Sequence, residues 1–139
     1  MKLWYQTLIP LLPRQQLLGQ HRELCALRGK GWGKSHATVN YVFTHSPAHL
    51  IAYHYLVMNE MEKRGYHPDP IWRQTSWRGN VLEWDNSPEW NCGIEVQDIL
   101  MFVGITDVKI YPEHNDNYLQ ECIENLHSKG IEIKYENRD

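Results

Sequence analysis

Pro13-Arg14-Gln15-Gln16-Leu17-Leu18-Gly19-Gln20-His21-Arg22-Glu23-Leu24-Cys25-Ala26-Leu27-Arg28 is the stretch whose reading decides the fold. Pro13 suits a first helical turn, where its missing donor costs nothing, and Gly29 offers a left-handed stop. Leu17, Leu18, His21, Leu24 and Cys25 follow the i, i+1, i+4, i+7, i+8 spacing of a buried helical stripe, and Glu23 lies off it. Gly19, one turn before Glu23, costs about 1 kcal/mol in a helix interior relative to Ala. A close approach by another backbone or by a ligand is therefore expected there.

Outward from this helix, a second is predicted over 47–64. Ser46 can cap it, Pro47 fits its first turn, and Lys63-Arg64-Gly65 supplies cations and a stop. Leu50, Ile51, Tyr53, Tyr55, Leu56, Val57, Met58 and Met61 make it apolar over much of its circumference, as a central core helix would be. Residues 66–93 carry three prolines and Trp72, Trp77, Trp84 and Trp90, which predicts irregular structure pinned by aromatic packing. The apolar run 94–103 fits helix or strand, with helix preferred. Val108–Tyr111 and Ile131–Tyr135 alternate with a period of two around helical spacing at Leu119, Cys122, Ile123 and Leu126. The expected architecture is mainly α, a compact single domain over 1–139 of a few packed helices, with a small βαβ unit as a candidate at the C-terminus.

The chain has 139 residues, 42% hydrophobic and 22% charged, which suits one folded domain and excludes disorder throughout. No apolar run approaches the ~18 residues that cross a bilayer, and the opening residues lack a signal-peptide core. A cytoplasmic protein with no membrane partner is expected. Cys25, Cys92 and Cys122 are odd in number and widely spaced, so they read as free thiols rather than a disulfide framework or zinc ribbon. Net charge is −3, yet residues 1–36 carry +5, with Glu23 their sole acid. Such polarity attracts a polyanion locally while the remaining surface repels it; a merely solvated basic face is the bland alternative.

Arg28-Gly29-Lys30-Gly31-Trp32-Gly33-Lys34 interleaves glycines with cations and one tryptophan. Freed backbone donors, Lys and Arg favour phosphate contacts, and Trp32 can stack on a base. A flexible connection with Trp32 in the core is the competing reading. The spacing of a Walker loop is absent. Eight histidines invite a metal, but Pro47 sets His45 before the helix carrying His49, His49 and His54 are five apart, and no His-Glu-x-x-His occurs. No metal and no cofactor are expected. Arg22-Glu23 is the sharpest constellation: neighbours on a helix point about 100° apart, so each can face its own partner. A glutamate within a +5 segment stays ionised, ready to stabilise a cation or take a proton.

Leu12 to Leu24, and Glu60-Met61-Glu62-Lys63-Arg64-Gly65-Tyr66, resemble the first helix and the end of the long helix of the pyrimidine dimer DNA glycosylases, the phage T4 endonuclease V family. That resemblance implies a small, mainly helical enzyme that cuts the glycosidic bond at a damaged pyrimidine and then breaks the strand at the abasic site, without a metal. It further implies an amine at the chain start as nucleophile, with Glu23 stabilising the cationic sugar and moving protons, and Arg22 holding DNA. Family members carry a small second residue; here Lys2 stands there, so Met1 is expected to keep its place and offer its α-amine, with Lys2 as a fallback. Ala26 occupies the position of a DNA-binding arginine, for which Arg28 is expected to compensate. Arg14, Arg22, Arg28, Lys30, Trp32 and Lys34 are the expected DNA contacts. The partner is double-stranded DNA containing a damaged base or abasic site, bound by a monomer at the nucleoid. The alternatives are a non-catalytic nucleic-acid-binding module on the same scaffold, or an enzyme for another damaged base or for RNA.

Overall fold

The computed structural model describes residues 3–29 and 42–135. Met1, Lys2, Lys30, Trp32 and Lys34 lie outside the described residues. Among the described residues are four α-helices: α1 Arg14–Arg28, α2 Pro47–Lys63, α3 Gly93–Ile105 and α4 Asp116–Ser128. Short 3-10 turns cover Gln6–Leu11 and Pro70–Arg73. No described helix is long and apolar enough to cross a membrane.

Helix α1 begins directly after Pro13, as its ring predicts, but Gly29 at its end is not left-handed, with φ −91°. The glycine answers a need for room. A Cβ there would meet the Arg78 carbonyl oxygen at 3.3 Å and that of Ala26 at 3.4 Å. The buried stripe is also turned from the expected one. Leu17, Gln20, Leu24, Leu27 and Arg28 face inward, while Leu18, His21 and Cys25 are half-buried. Apolar spacing alone misplaced it because two polar side chains find partners inside.

Helix α2 is the centre of the molecule and packs against α1, α3 and the first 3-10 turn. Nine of its residues are buried, from Ala48 to Met61. Ser46 precedes it, but its hydroxyl donates to Glu95 Oε1 (2.9 Å) and so ties α2 to α3 instead of capping α2. At the far end Gly65 takes φ +90°, and the Tyr66 amide donates to the Met61 carbonyl (2.9 Å), closing the helix. Arg64 then donates to the carbonyls of Leu12 (2.7 Å) and Pro10 (3.0 Å), fastening the first 3-10 turn.

Aromatic packing does pin the irregular stretch. Trp72, Trp77 and Trp84 meet edge to face in sequence, and Trp77 and Trp84 form an isolated antiparallel bridge. Arg78 donates to the Arg28 carbonyl (2.8 Å) with its guanidinium 3.9 Å from the Trp90 ring centre. Residues 94–103 are helical within α3, and 117–128 within α4. The runs 108–111 and 131–135 form no strands. At 131–135 the alternation follows burial, with Glu132 and Lys134 exposed between half-buried neighbours, whereas at 108–111 Val108 is exposed and the adjacent Ile110 and Tyr111 are both buried. Ile110 is buried with its amide donating to Gln6 Oε1 (2.9 Å), and Ile131, Ile133 and Tyr135 rest on the core. The Gln6 side chain thus meets a backbone need that a sheet ladder would otherwise meet, and the Leu126 carbonyl meets that of Ile131. One apolar cluster joins Leu3, Leu8 and Leu12 to Leu24, Ile51, Val96, Tyr111, Cys122 and Leu126.

Candidate active site

Glu23 sits half-buried on α1, one turn after Gln20, whose amide is almost completely enclosed at 1% exposure. The Trp4 amide donates to Gln20 Oε1 (2.8 Å), and Gln20 Nε2 donates to Glu23 Oε2 (3.2 Å). Tyr53 reaches over from α2: its hydroxyl donates to the Trp4 carbonyl (2.5 Å) and lies 3.2 Å from Gln20 Oε1. From α4, the Tyr118 hydroxyl donates to the Leu3 carbonyl (2.5 Å). Three elements therefore clamp the backbone at Leu3 and Trp4, and one of the clamps also holds the Glu23 carboxylate.

The cations divide. Arg14 is exposed, 5.8 Å from the Tyr66 ring centre, and Arg22 is exposed beside Glu23. Among the described residues, no foreign backbone lies within 4 Å of a Cβ built at Gly19. The nearest described atom to that Cβ is Arg22 Nη2, at an ordinary 3.7 Å, so no described neighbour requires the glycine.

Arg28 corrects the sequence reading. It is fully buried, and its guanidinium donates to the carbonyls of Trp72 (2.7 Å), Gln74 (2.6 Å) and Trp77 (2.9 Å). Burial lowers its pKa to about 10, still charged at neutral pH. Enclosed, with both terminal nitrogens bonded to the 72–77 carbonyls and to His54, it cannot reach a phosphate, and it does not replace the cation missing at Ala26. It is the pin that holds the 72–77 loop onto α1.

Beside this pin, His21, Cys25 and His54 bring three potential metal-ligand atoms within 4.8 Å of one another. Proton directions argue against an ion. Arg28 Nη1 can only donate, so His54 Nδ1 accepts (3.2 Å) and the ring proton occupies Nε2, 2.9 Å from His21 Nδ1. An ion would need that Nε2 lone pair, and hence an imidazolate. Burial, reinforced by Arg28, holds His54 well below the ordinary histidine range. Burial likewise pushes the Cys25 thiol up to about 12, so it is no nucleophile at neutral pH. The trio is a hydrogen-bonded core element.

Sequence reasoning picked out Arg22 and Glu23 but missed Gln20, Tyr53 and the Trp4 backbone. The available signal was the i, i+3 spacing of Gln20 and Glu23, which places both on one flank of α1.

Helix α1 thus presents the Glu23 carboxylate beside the clamped backbone of Leu3 and Trp4, with exposed Arg14 and Arg22 on the same helix. Residues 1–74 match the family described as pyrimidine dimer DNA glycosylase, and the chain belongs to that family. The match ends in the loop held by Arg28, so α3 and α4 lie beyond it. No curated protein and no solved structure matches the chain.

Proposed function

We propose that this pyrimidine dimer DNA glycosylase also breaks the strand at the abasic site, through an imine between its N-terminal amine and the sugar. The observation that carries the reading is the clamp on Leu3 and Trp4, which shares Gln20 with Glu23. Met1 precedes Trp4 by three residues, so at most about 11 Å of chain separates its amine from this anchor.

The chemistry favours an α-amine over a lysine. With reference pKa values of ~7.7–8.0 and ~10.4, about a tenth of α-amines but under a thousandth of lysine amines are free bases at pH 7. The free amine attacks C1′, the bond from C1′ to the base breaks, and the base leaves with a proton. Ring opening and loss of the amine proton give the imine. Glu23 stabilises the cationic sugar and then removes the C2′ proton, the electron pair expels the 3′ phosphate, and water releases the enzyme. Met1 supplies the amine, with Lys2 as fallback. Exposed Arg14 and Arg22, followed in sequence by Lys30, Trp32 and Lys34, hold the DNA. We read 1–139 as one domain, since α4 shares its apolar core with the N-terminal segment.

Trapping tests this. Borohydride with abasic duplex yields a covalent adduct for the wild type and none after N-terminal acetylation, whereas tight binding without adduct identifies a non-catalytic module. Glu23→Gln keeps DNA affinity and lowers cleavage by about 100-fold or more; unchanged cleavage removes Glu23 from the mechanism.

A further inference from the structure

We infer that Gln20 is a positioning residue that fixes the N-terminal segment and the Glu23 carboxylate in one frame. This deepens the proposed function and rests on it. The amide is buried, and both of its ends are committed: oxygen to the Trp4 amide at 2.8 Å, nitrogen to Glu23 Oε2 at 3.2 Å. Its orientation is fixed by chemistry, because a backbone N–H only donates and a carboxylate only accepts. Turning the amide over would break both bonds. Burying an amide is unfavourable unless its hydrogen bonds are met inside. The site meets them with the backbone that follows the nucleophile and with the carboxylate that moves the proton.

The Tyr53 hydroxyl adds a second bond to Trp4 from α2, so Trp4 itself is held from two helices. A shift of Trp4 is thereby passed through one side chain to Glu23. Misplacement by about 1 Å costs up to 100-fold in such chemistry, which is the scale of the effect Gln20 controls. Among the described residues, the titratable and charged groups at this clamp are Arg22 and Glu23 on α1, Tyr53 from α2, and Tyr118 from α4. Lys129, just after α4, sets its ammonium 5.5 Å from the Trp4 ring centre.

Two substitutions separate the halves of the clamp. Gln20→Glu keeps an acceptor for Trp4 but sets a second carboxylate against Glu23. Gln20→Met removes both bonds at similar volume. On abasic duplex both are expected to leave KM within about twofold and to lower kcat at least tenfold at pH 7. In Gln20→Glu alone, the acidic limb of the kcat profile moves to higher pH, since paired carboxylates raise one another's pKa. Val57→Ala, a core change on α2, serves as a stability control and leaves the kcat of the folded protein within about twofold. Wild-type kcat and an unmoved limb in Gln20→Glu overturn the inference, as does an equal kcat loss in Val57→Ala. A wild type that forms no borohydride adduct overturns the functional reading, and this inference with it.

Discussion

Helices α1 and α3 invert the usual relation between sequence and burial. α1 is rich in arginine and glutamine, yet it buries Gln20 and Arg28 along with Leu17, Leu24 and Leu27. α3 is the more apolar, yet only Val96 is buried, with Ile94 84%, Met101 65%, Phe102 52% and Ile105 78% exposed. The difference lies in what surrounds each helix. α1 packs on α2 and on the 72–77 loop, whose carbonyls meet the buried Arg28 donors, whereas among the described helices α3 has α2 as its principal neighbour. A polar side chain is at home in the interior where obligate acceptors converge on it. An apolar one stays in water when no surface is set against it.

The comparison is broken most sharply at Arg28. Arg28→Met retains apolar bulk but strands three carbonyls and His54 Nδ1, and is expected to lower unfolding free energy by about 3–5 kcal/mol in urea titrations. A loss under 1 kcal/mol would make the pin decorative.

The buried histidines give the next largest effect, through pH. Burial holds His54 well below its ordinary value and lowers His114 to about 4. Unfolded histidines protonate near 6.5, so below that pH the unfolded chain binds more protons and stability falls toward the folded values. At about 1.4 kcal/mol per unit, His114 alone accounts for about 3 kcal/mol lost by pH 4. Denaturation midpoints that stay flat from pH 7 to 4.5 would contradict this.

On α3 the contrast is sharpened by two small changes. Val96→Ala should cost about 2 kcal/mol, from lost burial and a cavity. Ile105→Ser, one surface away, should stay within about 0.5 kcal/mol. Equal costs would mean that the exposed face of α3 is covered.

Helices α1 and α2 were legible in the sequence because proline, serine and glycine punctuate a 3.6-residue period. The strands expected at 108–111 and 131–135 were not there, since a period of two reports at most a buried side, as at Ile131 and Ile133, and says nothing about a neighbouring strand. Within the candidate site, Arg22 and Glu23 were visible as a motif on a helix. Gln20 was not, because its decisive partner, the Trp4 amide, is sixteen residues away. Arg28 was misread for a similar reason. A cation next to a glycine-rich loop suggests phosphate, while the carbonyls that claim it come from 72–77, which no local pattern connects to α1.

The central claim is the proposal that the nucleophile is the N-terminal amine, three residues before the Trp4 amide that shares Gln20 with Glu23. Peptide mass spectrometry of the borohydride-trapped adduct tests it most directly. The reduced sugar is expected on the N-terminal peptide, at the α-amine of Met1. A sugar carried on Lys63, Lys109 or another internal lysine would contradict the account.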